Sequence, residues 1–506
     1  MPRPRLLTPE AQLLDAAKAD DVEVATQLLN DGVDPDVLLQ EWTPMLKAAF
    51  HGAEAVVSLL IEADANVNKC DENGWTPLYV AAQNGWDKVV ALLLAANADV
   101  QRCTKDGASP LHIAAAFGFH AVVKLLIAAG ADLELRDSAG RTPLWIAAFE
   151  GHIVVVLLLL QAKATTNCAN KDGATPLAVA TQQGHVAIVA QLVKRRADPA
   201  VSIKDGATPL FVAAQYGYDA ILGLLLQASA PIETTTDAGA TPVYVAAQNG
   251  HAGAVALLLG AGADVSKRLR DGFSALYAAA QNGHDAVVAL LLDAGADVDE
   301  LMQDGSTPLF VAAQNGHDAV VSLLLASDAS LTTSTIDGAT ALHAAAQHGH
   351  DAVVALLLRS GASVNAASTD GSTALLLGAA HGHRNVVVLL LNAQATVNRS
   401  RRDGATPLLV AAQHGHSNTV LLLLKAKADV VRPNEEGKTP LWVAAEAGHA
   451  EVVTLLLQAK ANPHRSDNMG RTPLNVAVEN GHAAVAALLM NAQAAAGKAK
   501  KLTKAP

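Results

Sequence analysis

A chain of 506 residues is long enough for about three ordinary domains, and with 51% of it apolar it has ample material for a core. Only 3% is aromatic, so that core must be built from Ala, Val and Leu, which lets neighbouring helices approach closely. The formal charge of −12 argues against nucleic acid as the main partner, because phosphate binding is driven by Lys and Arg releasing counterions.

In chain order, Met1-Pro2-Arg3-Pro4-Arg5 leads into a polar stretch with no apolar h-region, so no secretory signal is read there and residues 1–7 are expected to be flexible. Residues 8–37 make a degenerate first unit carrying Leu13, Leu14, Ala16, Ala17, Leu28, Leu29 and Gly32. From residue 38 the chain becomes regular. Thr-Pro-Leu recurs at Thr76, Thr142, Thr175, Thr208, Thr307, Thr406, Thr439 and Thr472, with related triplets at Thr43, Ser109, Thr241, Ser274, Thr340 and Thr373. Each of these fourteen positions lies 33 residues from the next, without an insertion. The array is expected to run over 8–496 as a single body, leaving 497–506 as a short basic tail with Lys498, Lys500, Lys501 and Lys504.

Each repeated residue has a physical task. Thr at a helix edge accepts a hydrogen bond from an orphan backbone N–H, and Pro beside it sits at the first helical position, where its missing donor costs nothing. The Gly at 52, 85, 118 and onward to 481 ends that helix in a left-handed conformation. A second helix follows, with a buried stripe such as Val287, Val288, Leu291 and Leu292. Asp-Gly, as at Asp205-Gly206, then supplies the positive φ of a tight loop.

Repeat 302–334, MQDGSTPLFVAAQNGHDAVVSLLLASDASLTTS, closely resembles the consensus of the ankyrin family, whose signature is a 33-residue period opening on T-P-L. The resemblance implies an all-α solenoid of stacked antiparallel helix pairs with projecting β-hairpin-like loops. It also implies a protein–protein interaction scaffold or adaptor that binds partner proteins on its concave face, monomeric by itself, without enzymatic activity or cofactor. The alternative is a substrate-recognition or targeting subunit of a larger complex, such as a ubiquitin ligase, with catalysis on another chain.

Departures from the pattern are few. Glu41 replaces a turn Gly, and Ala275, Ala341 and Ala374 replace the helix-starting Pro. After the second helix Gly survives only at Gly130, Gly262, Gly295 and Gly361. Asp64, Asn97, Lys163, Arg196 or Ser229 must make that bend elsewhere, at about 1 kcal/mol each if left-handed.

No constellation outside the repeat register carries chemistry. A histidine follows the repeat Gly at His152, His185, His251, His284, His317, His350, His383, His416, His449 and His482, and each ring is expected to bond backbone of a neighbouring loop. Three units read His-Gly-His (His348/His350, His381/His383, His414/His416), but no Cys or carboxylate accompanies them at ligand spacing, so no metal is expected. In each pair the first ring is expected to face the groove and the second to lie between helices. Gly437-Lys438-Thr439 lacks the earlier Gly of a phosphate loop, because Arg432 stands there. Cys70, Cys103 and Cys168 are too few for a disulfide framework, which points to a reducing compartment and a cytoplasmic or nuclear location. The most apolar run, Ile153 to Leu160, is well short of the roughly 18 residues of a spanning helix, so no membrane insertion is expected.

The groove-facing positions of the middle units are monotonous, with Gln-Asn at 248/249, 281/282 and 314/315. The N-terminal third differs, with Trp42, Trp75 and Arg141 at its tips and Phe50, Phe117 and Phe149 at its helix ends. Aromatics and Arg dominate binding hot spots, so these six residues are the expected partner-binding patch. Capping of the solenoid end is the competing role for the same rings.

Overall fold

The computed structural model describes residues 7–502, with side chains to residue 494. Thirty helices follow one another over these residues, from Pro9–Ala19 to Ala483–Leu502. Among the described residues there is no strand. Extended pairing is limited to single bridges, Leu39 with Trp42, Arg268 with Ser274 and Ala367 with Thr373, at the bases of loops.

One repeat shows how the sequence dictates the unit. Thr307 is extended (φ −113°, ψ 167°) and its hydroxyl accepts from the Phe310 N–H at 3.1 Å, while Pro308 opens helix Pro308–Asn315. Gly316 closes that helix at φ +79°. Helix Asp318–Ala326 then returns, burying Val320, Val321 and Leu324 against the first helix and its neighbours. Side chains of this size contribute about 1.5–3 kcal/mol each when fully buried, and the same three positions are filled in nearly every unit.

The departures from the pattern do not interrupt the fold. Ala275–Asn282 begins in register without Pro, because Ser274 still caps the Tyr277 N–H at 3.0 Å. The bend after the second helix is left-handed at Asp64, Asn97, Lys163, Arg196 and Ser229, with φ between 55° and 72°, as their place in the repeat predicts. Glu41 also takes a positive φ, +71°. The loops are chained together by backbone bonds one repeat apart, for example Ile336 N–H to the Asp304 carbonyl at 2.8 Å.

The chain forms two compact units, the first running to Val245 and including Gly260–Ala263, the second comprising Ala246–Leu259 and the chain from Asp264 onward. In the first, helices such as Pro44–His51, Pro77–Asn84, Pro110–Phe117 and Pro143–Glu150 pack successively on one another, with a parallel row of second helices behind. The second unit repeats that arrangement from Ala275–Asn282 to Pro473–Glu479. Among the described residues no helix is long and apolar enough to cross a membrane. The segment 497–506 is helical as far as Leu502. Of the residues 1–7 expected to be flexible, 1–6 lie outside the described residues, as do 503–506 of the basic tail.

Candidate functional site

The histidine row is bound into the scaffold. His350 Nε2 lies 2.9 Å from the Gln314 carbonyl, His383 Nε2 2.9 Å from Gln347 and His416 Nε2 2.9 Å from Ala380, each bond reaching 36 residues back. The acceptor is the end of the preceding unit's first helix, not a loop. Each ring also lies on the Gly of that unit: a Cβ on Gly316 would sit 2.5 Å from His350 Nδ1. Trp86 and Phe119 take the same slot over Gly52 and Gly85, and the Trp86 Nε1–H donates to the Phe50 carbonyl at 3.0 Å.

In each His-Gly-His pair the first ring is exposed and the second is half-buried against the preceding unit. The two rings stack on each other, with centroids 6.2, 6.0 and 6.1 Å apart, and the first His of each pair bonds the carbonyl four residues back in its own helix. The Gln-Asn pairs are also not free. Asn282 donates to the Gln248 and Ala278 carbonyls, and Asn315 donates to Gln281, so the Asn ties one unit to the last. Burial and the neighbouring imidazoles His414, His381 and His383 hold His416 below the usual histidine range. Among the described residues no group of three or more His, Cys, Asp or Glu is arranged to hold a metal ion.

The three cysteines are free thiols. Burial pushes the Cys103 and Cys168 thiols up, and the acceptor Glu134 Oε2, 3.2 Å from Cys168 Sγ, pushes the latter further. Neither has the environment of a nucleophilic thiolate.

The six residues singled out in the N-terminal third fall into two clusters and one outlier. Trp42 meets Phe50 edge-on at 5.4 Å, and Trp42 and Trp75 together wall a cavity of about 180 Å³ with Glu41, Leu46, Asp71, Asn73 and Val80. Trp75 also leans on Tyr79 at 5.9 Å. Both indoles are half-buried. One repeat beyond Phe117, Arg141 and Phe149 converge on Trp145. Phe149 stacks on that indole at 5.4 Å, and Arg141, paired with Asp137 at 2.7 Å, lies over it at 5.9 Å. Phe117 belongs to neither cluster: it is 52% exposed and stacks on Phe119, one register position beyond Phe50 and Phe149.

Trp145 and Tyr79 complete these clusters, although neither stands out in the sequence. Both occupy the residue after Thr-Pro-Leu, a position shared by Phe211, Tyr244, Tyr277, Phe310 and Trp442, so an aromatic there reads as ordinary. A second opening, lined by Trp145, Phe149, Gln182, Ile203 and Asp205, encloses about 380 Å³ and adjoins one of about 490 Å³ lined by Phe211, Gln215 and Tyr216.

The model of ankyrin repeats, taken three copies at a time, matches residues 13–104, 87–168, 157–236, 224–302, 294–368, 366–434 and 427–500. The chain belongs to the ankyrin-repeat family. No curated protein sequence matches it. Ankyrin repeats are in general protein-interaction modules, and in this one the rows that hold neighbouring units together, the stacked His rings and the Asn bridges, are distinct from the half-exposed rings around Trp42 and Trp145.

Proposed function

We propose that this ankyrin protein is an intracellular, cytoplasmic scaffold or adaptor without turnover of its own, and that its principal partner-binding surface lies on the N-terminal repeats around Trp42, Phe50 and Trp75, continuing to Arg141 and Phe149. The observation that carries this reading is the Trp42/Trp75 cavity, where two large rings stay half-exposed. The equivalent position in most other repeats is Ala or Ser, as at Ala108, Ala174, Ala207, Ser306 and Ala405. A large ring left in water contributes nothing to folding, while burying one against a partner is worth roughly 1.5–3 kcal/mol.

The test is affinity capture from the native cell with wild-type protein, with a Trp42→Ala/Trp75→Ala variant, and with a Phe117→Ala/Tyr216→Ala variant as a control for exposed rings outside the cavity. Partner binding is expected to weaken more than tenfold in the first variant and to change less than twofold in the second. Unchanged capture by the tryptophan variant, together with a large loss of thermal stability, would assign these rings to capping the end of the array.

A further inference from the structure

The charge of this protein is not spread along it. Residues 7–72 hold fourteen Asp and Glu against three Lys, a formal −11 of the −12 carried by the whole chain. The Trp42/Trp75 cavity lies in this segment and at its edge. Its walls combine two indoles with the carboxylates of Glu41 and Asp71. Asp71 is engaged through both oxygens, Oδ1 accepting from the Trp75 and Asn73 N–H groups at 2.7 and 2.9 Å and Oδ2 from Asn73 Nδ2 at 3.3 Å, whereas Glu41 is exposed. Lys47 places its Nζ 4.5 Å from the Trp42 ring centroid and does not line the cavity. Indole is the best of the aromatic faces for a cation, and the attraction strengthens when the cation is desolvated between ring and carboxylate. A volume of about 180 Å³ accommodates one long side chain and no more.

We infer that the Trp42/Trp75 cavity is an anchor pocket for a single cationic side chain, an Arg or Lys, projecting from a basic segment of the partner protein. This rests on the reading that the N-terminal rings form the partner surface and names what that surface selects. The guanidinium or ammonium head lies between the two indoles against Glu41 and Asp71, and the surrounding acidic repeats draw in the rest of the basic segment. The contribution of the acidic field falls with salt, since exposed charges are screened over about 8–10 Å near physiological ionic strength. The indole contacts are far less sensitive.

The experiment uses the full chain and a fluorescein-labelled peptide containing four arginines spaced by glycine, followed by anisotropy at low and physiological salt. Wild-type protein is expected to bind the peptide. Trp42→Ala/Trp75→Ala, which leaves the charge unchanged, should weaken binding at least fivefold. So should Glu41→Gln, an exposed substitution that leaves folding intact. Glu23→Gln removes the same charge from a residue that does not line the cavity and should weaken binding less than twofold. Equal losses for Glu23→Gln and Glu41→Gln with no effect of the tryptophan change would mean diffuse attraction and overturn the pocket; absence of binding would overturn the cationic occupant. The two readings also separate. A native partner lost on Trp42→Ala/Trp75→Ala but not displaced by the peptide leaves the surface standing and removes the cationic anchor. Capture indifferent to the tryptophans, with the peptide still bound in the pocket, does the reverse.

Discussion

Replacing Gly316 with Ala tests whether a ring slot, and not only a backbone angle, demands glycine. Two glycines in adjacent repeats have nearly the same left-handed backbone, Gly295 at φ +87° and Gly316 at φ +79°. A Cβ on Gly295 meets nothing within 4 Å, whereas one on Gly316 would lie 2.5 Å from His350 Nδ1 and 2.6 Å from Cε1. The backbone cost of an L residue there is about 1 kcal/mol at either site. At Gly316 the ring must also move, losing its bond to the Gln314 carbonyl, worth about 1 kcal/mol, and disturbing a packed contact for about 1 kcal/mol more. Gly295→Ala should therefore cost about 1 kcal/mol and Gly316→Ala about 3 kcal/mol, a difference that corresponds to roughly 30-fold in local opening. Because a repeat array opens locally, the assay is amide hydrogen exchange read over residues 285–359 rather than one global melting curve. With His350→Ala in both backgrounds, the two alanine costs should converge. Equal costs for the two alanines with His350 in place would refute the argument, since the glycine would then be required only for its φ.

The buried histidines make stability depend on pH in a definite direction. His343 is 1% exposed, accepts from the Thr340 N–H at Nδ1 (3.1 Å), and donates from Nε2 to the Ala366 and Ser372 carbonyls (3.1 and 3.2 Å), and burial holds it below the ordinary histidine range. The unfolded chain, with its imidazole near the usual value of about 6.5, takes up more protons than the folded one as pH falls through that value, so this contribution is intact above it and lost below it. Urea stability should decline from pH 7.5 to 5.5, and the His343 ring should titrate by NMR below the ordinary histidine range; a ring that titrates at or above about 6.5 would contradict the assignment. Trp442 is fully buried and its Nε1–H donates to the Arg471 carbonyl at 2.9 Å, so Trp442→Ala should cost about 3–5 kcal/mol, with exchange accelerated over 440–482 and unchanged near the N-terminus. A uniform effect along the chain would contradict nearest-neighbour stabilisation.

Much of the fold follows from local chemistry and was therefore legible in the residues. Thr307-Pro308 starts a helix wherever it stands because the cap and the fixed φ act over three or four positions, and Ser274 without Pro does the same. Asp64 and Lys163 take the left-handed bend that Gly130 and Gly295 make in other repeats, where an added Cβ meets nothing within 4 Å. The binding surface was less legible, because it depends on which side chains from different repeats meet. Phe117 looked like Phe50 and Phe149 on the chain, yet one register position, a rotation of about 100° on a helix, sends it to another face. Trp145 passed as ordinary scaffold, yet Arg141 and Phe149 converge on it.

The sequence by itself determined the 33-residue period, the helix starts and stops, the buried Val and Leu stripe and the family, since each is a short-range or periodic property. Only the tertiary structure decided why the Gly after the first helix is present in all fourteen repeats while the left-handed site after the second tolerates Asp, Asn, Lys and Ser. Both need positive φ, but in most repeats the first also lies beneath a ring from the next unit, His350 over Gly316 or Trp86 over Gly52. In the same way, stacking placed Trp42 and Trp75, 33 residues apart, on one cavity with Glu41 and Asp71. The approach of atoms distant in sequence is set by packing between units, which no local propensity encodes.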